Sequence, residues 1–288
     1  MSHPSDLQTH PAPKFTVVGA GIGDPDLITV KAIKAIQSAD IILYDALVNK
    51  DLLSHAPLQS ARIYVGKRRS HKAFSQDEIN EIIVSYARHY GHVVRLKGGD
   101  PFMFGRGLEE MQYAENHGVE THYIPGVSSA IAGPGAAGIA VTLRGIARSC
   151  WILTATTDTG ALNPEIGLAA QTDTTVVILM GLTKLAEISA VFESAGKGQL
   201  PVAVVQNASL PDQHTVFGTV ADIEQKMQSV GKDSPTVIVL GEVVRNRLYA
   251  KATGFIPSDL NGQDHEQNLL RRRIKPKEIA ATVLTQSL

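Results

Sequence analysis

Cysteine is almost missing from the 288 residues: Cys150 stands alone. A lone thiol forms no internal disulfide and builds no cysteine cage for zinc or an iron–sulfur cluster, so a reducing compartment, the cytoplasm, is expected. Long apolar runs are missing too. None approaches the roughly 18 to 20 residues that span a bilayer, and the opening MSHPSDLQTHPAPK lacks the basic-then-apolar order of a signal peptide. A soluble protein with no membrane partner is expected. An excess of charge of either sign is also absent. Lys and Arg number 27 against 28 Asp and Glu, a net charge of -1, which excludes overall attraction to nucleic acid and leaves any anion site to local clusters. Three catalytic signatures are lacking. The ten histidines form no HExxH motif, and neither a GxSxG elbow nor a Walker lysine occurs. Metal-assisted hydrolysis, serine hydrolysis and P-loop phosphoryl transfer are therefore disfavoured, and no metal is expected.

What is present is ordinary globular material, 43% hydrophobic and 19% charged. Residues 1–13 hold little to bury and are expected to form a disordered leader. Thereafter apolar runs and helical periods alternate. Strands are expected over 15–19, 41–45, 62–67, 92–100 and 121–126, with helices over 30–39, 75–90 and 107–118. Ser75 and Glu78 form a capping box before Ile79, Ile82, Ile83 and Tyr86, and Gly91 stops that helix. After the small-residue stretch 128–141, strands are expected over 151–156, 174–181, 202–207, 214–218 and 236–244, with helices near 183–195 and 220–230. The fold class is α/β, with two α/β domains, 14–130 and 131–256, and a basic tail, 257–288. The tail's RRRIKPK run (271–277) reads as solvated rather than as an RNA-binding element.

Ligands of open α/β sheets sit beyond the carboxyl ends of the strands. The residues there form a coherent set: Gly19 to Pro25, Asp45, Lys67, Gly98 to Asp100, Pro125 to Ser129, Thr154 to Thr157, Met180 with Gly181, and Gln206 to Ala208. GAGIGDPD (19–26) fails as a dinucleotide fingerprint, because Asp24 stands where glycine or alanine is needed and Asp26 lies close by. Two carboxylates repel a pyrophosphate and better suit a neutral or cationic ligand. In KGGDPFMFGRGLEE (97–110) two glycines admit a ligand to the main chain, and Asp100 offers an acceptor suited to an ammonium group. Arg106 and Glu109 share a helix face, which fits either a surface ion pair or an anion clamp beside a proton acceptor. RIYVGKRRSHK (62–72) has five basic residues and no carboxylate, a local field able to steer a polyanion.

Six ordered segments, VVGAGIGDPDLIT, ADIILYDALV, VGKR, VVRLKGGDPFMFGRGLEE, IPGVSSA and GIAVTLRG, resemble the tetrapyrrole methylase family across about 15 to 250. YDALV and VGKR point to its members that act on uroporphyrinogen III. The resemblance implies a kinked two-domain arrangement with S-adenosylmethionine (SAM) in the interdomain cleft, and a homodimer. It implies two methyl transfers to ring carbons of uroporphyrinogen III, giving precorrin-2 via precorrin-1 for sirohaem, cobalamin or haem d1 synthesis. With no oxidation or metal-insertion module expected, the chain should stop at precorrin-2. Carried over singly, the proton acceptor and donor fall on Asp45 and Lys67. Cofactor contacts fall on Ile22, Gly98, Gly99, Asp100, Met103, Ser128, Ser129, Met180 and Ala208. Arg106 and Glu109 are candidates for binding a substrate carboxylate and removing a proton, and Arg144 and Arg148 join the basic run as partners for the substrate's eight carboxylates. The chain departs from the family pattern at Leu108, Leu143, Ala155, Thr156 and Ala208.

Overall fold

The computed structural model describes residues 12–66, 74–231 and 234–248, all within one compact unit, Met1–Tyr249. Most of the leader, Lys67 with most of the basic run, and the tail lie outside the described residues.

The first half runs β1 (Lys14–Gly19), α1 (Val30–Gln37), β2 (Ile41–Tyr44), β3 (Ala61–Tyr64), α2 (Gln76–Tyr90), β4 (His92–Lys97), α3 (Gly107–Asn116) and β5 (Glu120–Ile124). Its five strands are all parallel, in the order β3-β2-β4-β1-β5. Parallel strands need crossovers that cover both faces, which is why β1 and β4 are buried along almost their whole length. One face packs Val18, Ile36, Ile42 and Leu52 around α1, and the other packs Phe15, Ile83, Val93 and Ala114 under α2 and α3. The capping box forms as the sequence requires: Ser75 Oγ accepts from Glu78 N at 3.1 Å, and Glu78 Oε2 accepts from Ser75 N at 2.6 Å.

The second half runs α4 (Ser129–Ala136), β6 (Cys150–Thr154), α5 (Glu165–Ala170), β7 (Thr175–Leu179), α6 (Leu185–Ser194), β8 (Pro201–Gln206), β9 (His214–Thr219), α7 (Ile223–Met227) and β10 (Thr236–Leu240). Here the order is β6-β7-β10-β8-β9. Only β6 and β7 are parallel, since β10 enters antiparallel between β7 and β8, and β9 pairs antiparallel with β8. The helix α4 arises in the small-residue stretch where no helix was expected. Gly133, Pro134 and Gly135 read as breakers in sequence, but a slender apolar helix lies close on the sheet, packing Ala130 and Ala136 with Val177, Val237 and Val239.

One buried polar cluster sits at the opposite end of the first sheet. His92 Nδ1 donates to Ser38 O at 2.9 Å, so Nε2 accepts from Thr16 Oγ1 at 2.8 Å. Burial, reinforced by the Lys14 charge, lowers the His92 pKa. The folded state therefore favours neutral imidazole, and the stability this contributes is present above the unfolded pKa, near 6.5, and is lost as pH falls through the lower folded value. The thermal midpoint should drop between about pH 7 and about pH 5 more steeply than in His92→Asn. Equal slopes in parent and variant would contradict this account.

Candidate active site

The connections after β1 and β4 leave the first sheet toward opposite faces, one into α1 and the other into α3, although the two strands are neighbours. Such a divergence opens a crevice beyond the strand ends. The two turns are stitched at its base: Gly21 N donates to Gly99 O at 3.3 Å and Gly99 N donates to Gly21 O at 2.7 Å. Gly99 has φ +69, a left-handed backbone that glycine adopts without strain. Turns of the second sheet face this crevice. Asp24 N donates to Ser209 Oγ at 3.0 Å, and Ile22 and Met103 pack against the apolar cluster under α4.

The resulting cavity, about 800 Å³, is lined by all nine residues expected to contact the cofactor, together with Asp45. A cavity of this size holds a nucleoside-sized ligand, and the donor set suits a folded sulfonium nucleoside. Ile22, Met103 and Leu182 supply apolar walls, while the Gly98 to Gly99 turn and Ala208 offer main chain at close range. Three non-glycine residues of the lining, Phe104, Met180 and Asn207, have positive φ of 54°, 55° and 47°. Each such turn costs about 1 kcal/mol, and strain held at strand ends around one cavity is a mark of a ligand site.

Asp100 is more constrained than its sequence context suggests. Its Oδ1 accepts from Phe102 N at 2.8 Å, and Oδ2 accepts from Tyr123 Oη at 2.7 Å and Gly126 N at 3.0 Å. One lone pair of the carboxylate is left for a ligand. Burial, then the bond to Asp100, pushes the Tyr123 hydroxyl up to about 12, so it remains a donor. Its ring stacks on Phe102 with centroids 3.8 Å apart.

Asp45 follows β2, with its side chain 24% exposed. Oδ1 accepts from Leu47 N at 3.1 Å, and Oδ2 accepts from Arg95 Nη2 at 3.3 Å. Behind it lies a charged cluster that sequence reading missed. Arg95 and Lys97, alternate residues on one face of β4, point at Glu110, which is wholly buried on α3. Lys97 Nζ donates to Glu110 Oε1 at 2.6 Å, and Arg95 Nε stands 3.8 Å from the same oxygen. Burial, then the neighbouring Arg95 charge, lowers the Lys97 pKa. The signal for Glu110 was its helical phase, since Gly107, Glu110 and Ala114 are the buried positions of α3.

Arg106 and Glu109 are placed elsewhere. Both are more than half exposed and neither lines the cavity. Arg106 Nε and Nη2 donate to the Glu109 carboxylate at 2.6–3.0 Å, and that bond raises the Arg106 pKa and lowers that of Glu109. As they stand the two form an exposed ion pair, worth a few tenths of a kcal/mol. Arg62 is committed too: it donates to the carbonyls of Leu53, Ala56 and Pro57 at 3.2–3.4 Å. Arg144 and Arg148 are exposed around the turn joining Leu143 to Ala147. Among the described residues no helix is long and apolar enough to cross a membrane.

The chain is similar to known proteins over most of its length. Residues 14–224 match the family described as Tetrapyrrole (Corrin/Porphyrin) Methylases. The chain is 42% identical over 233 residues to a uroporphyrinogen-III C-methyltransferase of Methanocaldococcus jannaschii, covering 80% of this chain and 96% of that one. It is 40% identical over 229 residues to a siroheme synthase of Psychrobacter cryohalolentis, covering 79% of this chain but only 44% of that longer protein. In structure it is similar to a uroporphyrin-III C-methyltransferase of Thermus thermophilus complexed with S-adenosylhomocysteine. That likeness has a TM-score of 0.70 at 35% identity and covers 81% of this chain and 99% of that one.

Proposed function

The chain belongs to the tetrapyrrole methylase family, and from that premise we propose that it is a SAM-dependent uroporphyrinogen-III C-methyltransferase. It transfers two methyl groups to ring carbons and yields precorrin-2 by way of precorrin-1, acting as a cytoplasmic homodimer. The observation that carries this reading is the gathering of Asp45 and all nine expected cofactor contacts around one cavity.

SAM, when bound, supplies a methyl group already activated on its sulfonium. The chain must then place the electron-rich pyrrole carbon in line and accept a proton from the methylated macrocycle. Main chain at Gly98, Gly99 and Ala208, with Ile22, Met103 and Met180, holds the nucleoside. Ser128, Ser129 and the free lone pair of Asp100 address its polar groups. Asp45 is the proton acceptor. Its two oxygens are aimed by Leu47 N and Arg95, so the remaining lone pairs meet the ligand without reorganisation. Lys67, outside the described residues, is the proton donor. The exposed guanidiniums of Arg144 and Arg148 meet substrate carboxylates.

The test is transfer of labelled methyl from SAM, with uroporphyrinogen III competing against later corrin-ring intermediates. Preferential labelling of uroporphyrinogen III supports the proposal. Preferential labelling of another tetrapyrrole would replace the substrate while keeping the reaction.

A further inference from the structure

Four charged side chains, Asp45, Arg95, Lys97 and Glu110, form a continuous group beneath the cavity, two of each sign. Such a cluster is poor value as a source of stability. Desolvation of buried ions offsets most of their attraction, and apolar residues of similar size commonly serve as well. Its members are nevertheless arranged in order of depth. Glu110 is fully buried, Arg95 and Lys97 are nearly so, with Lys97 reaching the cavity wall, and Asp45 is the most open of the four. Arg95 is held on three sides: Nη1 donates to Leu96 O at 2.7 Å, Nε faces Glu110, and Nη2 reaches Asp45. Gln76 Nε2 donates to Glu110 Oε1 at 3.2 Å and to Asn80 Oδ1 at 3.1 Å, which ties the far end to α2. Arg95 Nε and Glu110 Oε2 nonetheless make no hydrogen bond among the described residues. The guanidinium's aim at Asp45 is thus better satisfied than its own bonding to Glu110.

We propose that Glu110, acting through Arg95, is a positioning residue for Asp45, and that Lys97 is the second cation sharing the Glu110 counter-charge. The proposal rests on the reading of Asp45 as proton acceptor. Arg95 sets the orientation and local field of the Asp45 carboxylate, and Glu110 sets how much of the Arg95 charge Asp45 feels. Among the described residues the charged groups next to Asp45 are Arg95, in direct contact, then Lys97 on β4 and Glu110 on α3, and its chain neighbour Tyr44 meets Tyr64 edge-on. Arg95 acts on Asp45 by direct contact, and Glu110 opposes that charge from behind, through Arg95.

The experiment measures kcat, KM and the pH–rate profile of methyl transfer to uroporphyrinogen III in the full chain, for the parent, Glu110→Gln and Arg95→Gln. Both variants should lose about ten-fold or more in kcat, with KM for SAM within about two-fold. Neutralising Glu110 leaves Arg95 unopposed, so the acid limb moves to lower pH. Neutralising Arg95 moves it to higher pH. A merely structural role does not separate the two limbs in this way. Limbs that stay in place, limbs that move together, or kcat within about two-fold of the parent would overturn the proposal. Should the Gln variants fail to fold, Arg95→Lys keeps the buried charge but not the fork. It should lose about five-fold in kcat, and a parent-like rate would overturn the proposal. A parent that transfers no methyl group overturns the proposed function and this role with it, whereas an active parent with indifferent variants overturns the role alone.

Discussion

Asp45→Asn is expected to lower kcat by about a hundred-fold to ten-thousand-fold, the range contributed by a positioned proton acceptor, while leaving S-adenosylhomocysteine affinity within about two-fold. Asparagine keeps the shape, and its single amide oxygen can re-make one of the two contacts, with Leu47 N or with Arg95 Nη2. What disappears is a group that can take a proton from the methylated ring. The cofactor walls, built from other turns of the two sheets, are untouched. Steady-state kinetics and titration calorimetry on one preparation check both halves. A variant retaining more than about a tenth of the parent's rate would remove Asp45 from the chemistry.

Gly126→Ala should have the largest effect on the scaffold. Three strand-end turns meet at this point. A Cβ on Gly126 would stand 2.2 Å from Gly99 O and 2.7 Å from Gly19 Cα. Both neighbours are backbone and cannot rotate away, so the ends of β1, β4 and β5 must separate. Overpacking of this kind costs about 3 kcal/mol, which lowers the thermal midpoint of a chain this size by roughly 10 °C. The same shift displaces the Gly98 to Asp100 turn, whose Asp100 Oδ2 accepts from Gly126 N. S-adenosylhomocysteine binding should weaken about ten-fold, equivalent to about 1.4 kcal/mol. A variant as stable as the parent would show that the turns are free to move apart.

Much of this site is legible in the sequence because strand ends mark themselves. Buried parallel strands read as short apolar runs, and the glycine, aspartate and small hydroxyl residues after them assemble at one edge once the strands are parallel. The capping box before α2 is equally local and forms as read. Other features depend on tertiary context. The helix α4 carries Gly133, Pro134 and Gly135, and forms because its thin face fits the second sheet. The insertion of β10 between β7 and β8 is a matter of pairing over long separations and leaves no local mark. The instructive contrast lies in GRGLEE. Glu109 attracts attention because it is three residues from Arg106, yet that spacing puts both on the solvent face. Glu110, one residue on and about 100° around the helix, turns inward to Lys97. Charges at 95 and 97 interleaved with the apolar Val94 and Leu96 were the complementary signal, since alternate residues of a strand share a face.

Product mass decides whether this chain methylates uroporphyrinogen III at carbon. Purified protein incubated anaerobically with uroporphyrinogen III and methyl-labelled SAM should give a macrocycle carrying two labelled methyl groups, with a singly labelled species appearing first. A protein that binds S-adenosylhomocysteine but leaves uroporphyrinogen III unlabelled after prolonged incubation would contradict the account.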